Sequence, residues 1–221
     1  MSARELIQRY AIFAMGMIFT SLGIVVTTSS MLGTSPISAI PFSMSVAFPA
    51  LTLGNWTIIF NVLLVIAQIF ILRKTVKKAE LILQLIVTVP FGFIIDLWRI
   101  VLADLEPQLY PVRLLIMVLG CFVVAFGVYF QLMAGVVMLP GDAFARAIAK
   151  VTKKEFGQIR TVSDISMTII AFAVVLLFTG GFSGMREGTI IAAFLVGNIV
   201  RLYKRKFTKL EALALSGCKY N

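Results

Sequence analysis

What most constrains this chain is a series of long apolar runs, most of them near or above the roughly 20 residues that a helix needs to cross a hydrocarbon core. Residues 10–30, 56–72, 81–103, 111–133 and 160–178 read as spans, and the shorter run 189–203 reads as a sixth. Such runs recur to the end of the chain, so the first is expected to be a span and not a cleaved signal peptide. Backbone amides inside lipid must be satisfied within their own segment, which leaves helices as the solution for runs of this kind. The expected fold is all-α, a polytopic membrane helix bundle. Composition agrees, with 60% of residues hydrophobic, 14% charged and a mean hydropathy of +1.00. A soluble domain averages about 45–50% apolar and about 25% charged.

Two stretches break the pattern. Residues 33–49 carry Pro36, Pro41 and Pro49, too interrupted and too short for a full span, and Ser35 is placed to cap a helix opening at Pro36. Residues 140–151 are again short and open on Pro140-Gly141-Asp142. Each break follows the first span of one half of the chain, and the halves match in order. Shifted by 104 residues, Arg9 falls on Arg113, Gly16 on Gly120, Gly23 on Gly127 and Pro36 on Pro140. A shift of 103 puts Gly54 on Gly157 and Asn61 on Asp164, and a shift of 105 puts Gly92 on Gly197 and Trp98 on Tyr203. An ordered set drifting by one or two residues points to a duplication. The expected organisation is one repeat over 1–107, a second over 108–206, and a tail over 207–221.

Charge sets the expected orientation of the halves. The net charge of +10 is carried in short Lys/Arg clusters between apolar runs, with no soluble domain left to offer them to nucleic acid. If the short Pro-bearing segments do not cross, the N-terminal head, residues 73–78, residues 150–160 and the tail fall on one side, and the acidic turn 104–106 on the other. That arrangement satisfies the positive-inside rule, whereas letting the short segments cross breaks it. Three spans per half, an odd number, makes the repeats inverted. Both termini are then expected on the cytoplasmic side of a bacterial inner membrane. Cys121 lies in an apolar run, Cys218 lies in the tail, and there is no His. The usual zinc and iron–sulfur patterns and any His-dependent triad are therefore missing, and no cofactor is expected.

The patterns around the two breaks are GTSP…GN…N (Gly33, Pro36, Gly54, Asn61) and LPGDA…G..R...D (Pro140, Gly141, Asp142, Gly157, Arg160, Asp164). They resemble the YczE/YyaS/YitT group of bacterial integral membrane proteins, with LPGDA-to-Asp164 the most specific part. The resemblance covers nearly the whole chain and is nearest the YczE type, without the soluble C-terminal domain of YitT-type members. It implies a polytopic bacterial membrane protein and brings no substrate or site residue with it.

The candidate site residues come from the chain itself: Pro36, Asn61, Pro140, Gly141, Asp142, Arg146, Arg160 and Asp164. Asp142, in the first turn of a short helix, either stabilises that helix's N-terminus or tunes what binds at its free amides. Arg146, four residues on, either pairs with Asp142 or offers a planar fork to an anionic group. Asp164 lies one helical turn from Arg160, and an ionisable residue inside a span tends to face a polar interior. Its repeat mate Asn61 is neutral, which suits an asymmetric coupling site. Asp96 and Arg99 read as interfacial anchors beside Trp98, and Gln68 and Gln131 as hydrogen-bonding glue between helices.

The leading functional expectation is secondary transport or export of a small polar or anionic solute by alternating access, coupled to a proton or cation. The alternatives are a substrate-binding or accessory subunit of a larger complex, and a passive channel. No nucleophile–base pair or metal cluster suggests an enzyme. The expected partners are the lipid bilayer and a small-molecule solute, with homo-oligomerisation left open.

Overall fold

The computed structural model describes residues 3–73, 78–105, 107–181 and 186–206. Within them lie α1 (Ala3–Ser29), α2 (Pro36–Ala47), α3 (Leu53–Leu72), α4 (Lys78–Val101), α5 (Tyr110–Ala134), α6 (Pro140–Thr152), α7 (Phe156–Thr179) and α8 (Glu187–Lys206). Lys74, Lys77, Glu106, residues 182–185 and the tail 207–221 with Cys218 lie outside the described residues. Among the described residues, α1, α3, α4, α5 and α7 are long and apolar enough to cross a membrane. The last helix, α8, has the length, but Glu187 at one end and Arg201, Lys204, Arg205 and Lys206 at the other leave a shorter apolar stretch. Several helices run past the apolar runs that announce them. The first reaches back to Ala3, and α7 opens at Phe156 rather than at residue 160, because polar first turns continue a helix that the bilayer does not require.

The bundle is built on the crossing of α1 and α5. Gly16 faces Gly127 and Gln131, Gly23 faces Val124, Gly127 faces Thr20, and Gly120 faces Thr27. Positions rise along α1 as they fall along α5, so the two helices are antiparallel. At each of these glycines an added Cβ would stand within 3 Å of the partner's backbone. In lipid no hydrophobic force drives helices together, so close backbone approach supplies the attraction. Gln131 Nε2 donates to Thr20 Oγ1 at 2.8 Å across this seam, as the glue reading expects. The last turns of α1 satisfy their own hydroxyls: Thr27, Thr28 and Ser30 donate to the carbonyls of Ile24, Val25 and Thr27.

Around this pair the other helices are placed in matching fashion. The fourth helix lies against α1 and α8 against α5, while α2 packs on α7 and α6 packs on α3. Phe13, Val25, Phe91, Ile95, Tyr129 and Val175 meet in the main core. Phe70, Ile100, Leu177 and Phe194 stay highly exposed on the outside, as suits surfaces that face lipid tails.

The ends of the bundle differ in charge. Arg9 Nη1 donates to Ala134 O at 3.1 Å, Gln68 near the end of α3 donates to Pro140 O, and Tyr203 meets Phe126 and Tyr129 edge-on. The start of α1, the ends of α3, α5, α6 and α8, and the starts of α4 and α7 therefore share one end. That end carries Arg4, Arg9, Arg73, Lys78, Lys150, Lys153, Lys154, Lys204, Arg205 and Lys206. At the other end Tyr110 donates to Glu187 at 3.1 Å, and Trp56 Nε1 donates to Phe48 O at 3.2 Å.

Asp96, read from sequence as an interfacial anchor, has a structural task. Its carboxylate accepts from Gly54 N–H at 2.8 Å and from Thr52 Oγ1 at 2.6 Å, capping α3 from the neighbouring helix. Thr52 in turn accepts from Asn55 N–H at 3.1 Å. Sequence spacing within α4 gave no sign of this, because the acceptor and donors lie on different helices. Asp96→Ala is expected to cost about 1–2 kcal/mol of stability, read as a lowered unfolding midpoint in detergent. Arg99→Ala, at an exposed position, is expected to change it by less than about 0.5 kcal/mol.

Candidate functional site

Both short helices begin after a forced turn. The fifth helix ends at Gly135 in the left-handed region, φ 61°, and the chain re-enters helix at Pro140, whose missing N–H falls where a helix has no intrahelical acceptor for it. On the other side Met31 and Gly33 also have positive φ, and Gly33 is pressed against Thr189 so closely that a Cβ would clash. Leu32 O accepts from Arg186 N–H at 3.1 Å and Gly188 N–H at 3.0 Å, which fixes the approach to Pro36.

From these turns the two helix starts run toward each other. Ile37, in the first turn of α2, packs directly on Gly141, in the first turn of α6. These two positions are 104 residues apart, the same spacing that relates Pro36 to Pro140. Neither start is capped by its own side chain. Ser35 does not cap α2 as its position suggested; its hydroxyl donates to Ser38 Oγ at 3.2 Å instead. The first-turn amides of both helices therefore present positive dipole ends toward a shared region.

A charged cluster lies beside the α6 start. Arg160 Nη1 on α7 is 2.6 Å from Asp142 Oδ1, and Arg160 Nε is 3.9 Å from Asp164 Oδ2. The three side chains are 30%, 13% and 21% exposed for Arg160, Asp142 and Asp164. Asp142 Oδ1 is fully buried and its approach to Arg160 is not aligned as a hydrogen bond, so the attraction is mainly that of charge. Two carboxylates around one guanidinium leave a formal charge of −1. The intrahelical Arg160–Asp164 pair is present, but the shorter contact joins two helices.

Arg146 is placed elsewhere. It is exposed and, among the described residues, makes no ion pair. The expected pairing with Asp142 one turn away does not form, because Asp142 turns toward α7 while Arg146 lies on the outward face with Lys150. Pro140, Gly141, Asp142, Arg160 and Asp164 thus gather in one region, and Pro36 joins them through the Ile37–Gly141 contact. Arg146 stands apart.

Asn61 lies on α3, which packs on both short helices. Its side chain is 4% exposed, and among the described residues no hydrogen bond engages it. The fully buried side-chain polar atoms that lack a hydrogen bond among the described residues are Ser43 Oγ, Trp98 Nε1 and Asp142 Oδ1, and the Asn61 amide is not one of them. Two turns further along the same helix, Gln68 donates to Gln84 Oε1 at 3.0 Å and Gln84 returns a bond at 3.3 Å. Gln68 also reaches Pro140 O at 3.4 Å. Gln84 was not legible as a site neighbour, because nothing in a single sequence pairs two glutamines from different helices.

The chain is similar to two proteins of Bacillus subtilis (strain 168). One is the uncharacterized membrane protein YczE, 27% identical over 199 residues, covering 90% of this chain and 86% of that protein. The other is the uncharacterized protein YyaS, 26% identical over 196 residues, covering 88% and 92%. No solved structure matches. The membrane-spanning helices and these relatives make this a multi-pass membrane protein. Residues 7–205 match the family of unknown function DUF6198, and the chain belongs to that family.

Proposed function

We propose that the protein is a secondary transporter of a small polar or anionic solute, working by alternating access between two inverted three-span repeats. The observation that carries this reading is the Asp142–Arg160–Asp164 cluster between α6 and the membrane helix α7, beside two helix starts that meet head to head. Support for the inverted arrangement comes from packing that survives exchange of the halves. Gly16–Gln131 becomes Gly120–Thr27, Gly23–Val124 becomes Gly127–Thr20, and α2 on α7 becomes α6 on α3. An antiparallel α1–α5 crossing is what inverted copies of one helix give and parallel copies do not. In this reading α8 completes the sixth span, and the basic end of the bundle faces the cytoplasm.

The chemistry follows from charge balance. An anionic group entering between the helix starts competes with Asp142 for the planar fork of Arg160. Once Arg160 is taken, Asp164 lacks its counter-charge, and a proton or cation entering with the solute supplies it. Occupancy by one partner thus favours the other, reciprocally. Asn61, with no hydrogen bond of its own, offers a donor and an acceptor to the solute. Rocking of one repeat against the other would carry the pair across.

The test is a thermal-shift screen of purified protein against carboxylates, sulfonates and phosphate esters, followed by flux in liposomes with an internal pH dye. A stabilising compound is expected to show saturable, counterflow-competent uptake, with internal acidification if protons couple. Asp164→Asn should abolish concentrative uptake. Unchanged uptake by that variant would remove Asp164 from the coupling, and non-saturable flux would make the protein a pore.

A further inference from the structure

We propose that the protein holds an anionic phospholipid in a groove between α1, α5 and α8, away from the polar cluster and independent of the transport reading. The groove has a volume of about 210 Å³ and is lined by Phe19, Leu22, Phe122, Val123, Phe126 and Tyr203. Its wall is aromatic and set: Phe19 meets Phe126 edge-on with ring centres 5.2 Å apart, and Phe126 meets Tyr203 at 5.7 Å. Apart from the tyrosine, nothing polar lines it, so the occupant's buried part is hydrocarbon. The volume suits a stretch of one acyl chain.

The second observation is the charge at the groove's mouth. Tyr203 is followed at once by Lys204, Arg205 and Lys206, with Arg201 half a turn before it. All four cations are exposed, and among the described residues none is in an ion pair. They stand at the end of α8 that shares the basic end of the bundle, where headgroups lie. A chain in the groove brings its phosphate to these cations, whereas a zwitterionic lipid offers them no net charge. Each Lys or Arg near an anionic surface contributes about a fivefold gain in binding.

Delipidated protein in mild detergent would be titrated with dioleoylphosphatidylglycerol and, separately, dioleoylphosphatidylcholine, and bound lipid counted by native mass spectrometry. Expected is one retained phosphatidylglycerol and a preference over phosphatidylcholine of roughly tenfold or more. Lys204→Gln/Arg205→Gln, on the exposed surface, should lower that preference at least fivefold while weak binding of both lipids persists. Val123→Trp, which fills the groove, should lose both. Equal retention of the two lipids by the unaltered protein would overturn the proposal. So would undiminished phosphatidylglycerol on the double variant, or a dimer that closes over the groove and excludes lipid.

Discussion

Gly23→Leu is expected to abolish the folded protein, and Gly127→Leu to do the same, while Gly197→Leu leaves it intact. At Gly23 an added Cβ would stand 2.5 Å from Val124 N, and at Gly127 it would press on Thr20 N at least as closely. These neighbours are backbone, so no rotamer change relieves the clash and the two helices must separate. Separation costs the whole crossing, including the Gln131–Thr20 hydrogen bond at 2.8 Å. Overpacked cores lose about 1–3 kcal/mol when side chains can adjust, and here the adjustment falls on main chain. Gly197 meets nothing within 4 Å, and leucine there gains up to about 1 kcal/mol in helix propensity over glycine. Size-exclusion profiles and unfolding midpoints in detergent read the contrast. A monodisperse, wild-type-like Gly23→Leu protein would sink the α1–α5 crossing as the organising contact.

Arg160→Gln is expected to destabilise the protein by about 2–4 kcal/mol, more than Asp142→Asn. Removing one member of a buried ion pair leaves a charge without compensation, at about 3–5 kcal/mol when burial is complete; partial exposure lowers the figure. The arginine change strands two carboxylates together, Asp142 and Asp164, whereas Asp142→Asn leaves Arg160 still facing Asp164. The triple change Asp142→Asn/Arg160→Gln/Asp164→Asn should recover most of the loss, since it removes every charge in the cluster. Under the transport reading the triple variant is stable yet carries no solute, which separates folding from function. Equal midpoints for Arg160→Gln and Asp142→Asn would mean that the guanidinium does not hold the two carboxylates together.

Much of the candidate site was legible because its residues sit at local signals. Pro140-Gly141-Asp142 announces a helix start, and Arg160 and Asp164 are one turn apart inside an apolar run. A shift of 104 residues relates Pro36 to Pro140 within the sequence itself. What sequence missed were pairings across helices. Asp142 had two arginines in reach, Arg146 by helical spacing and Arg160 by nothing visible in the chain, and the fold selected Arg160. Asp96 likewise was assigned to an interface by its place near a helix end, while its carboxylate serves the start of a different helix.

By itself the sequence determined that this chain enters a membrane as helices and where the two short ones open, at Pro36 and Pro140. Those properties depend on runs of apolar residues, prolines and glycines, whose effects act over one or two helical turns. Only the tertiary structure decided which partner each polar group takes: Gln84 for Gln68, Arg160 for Asp142, and none for Asn61 among the described residues. Those choices turn on how far apart two helix axes lie and how each is rotated. Close glycine packing sets both, and no single segment carries that information.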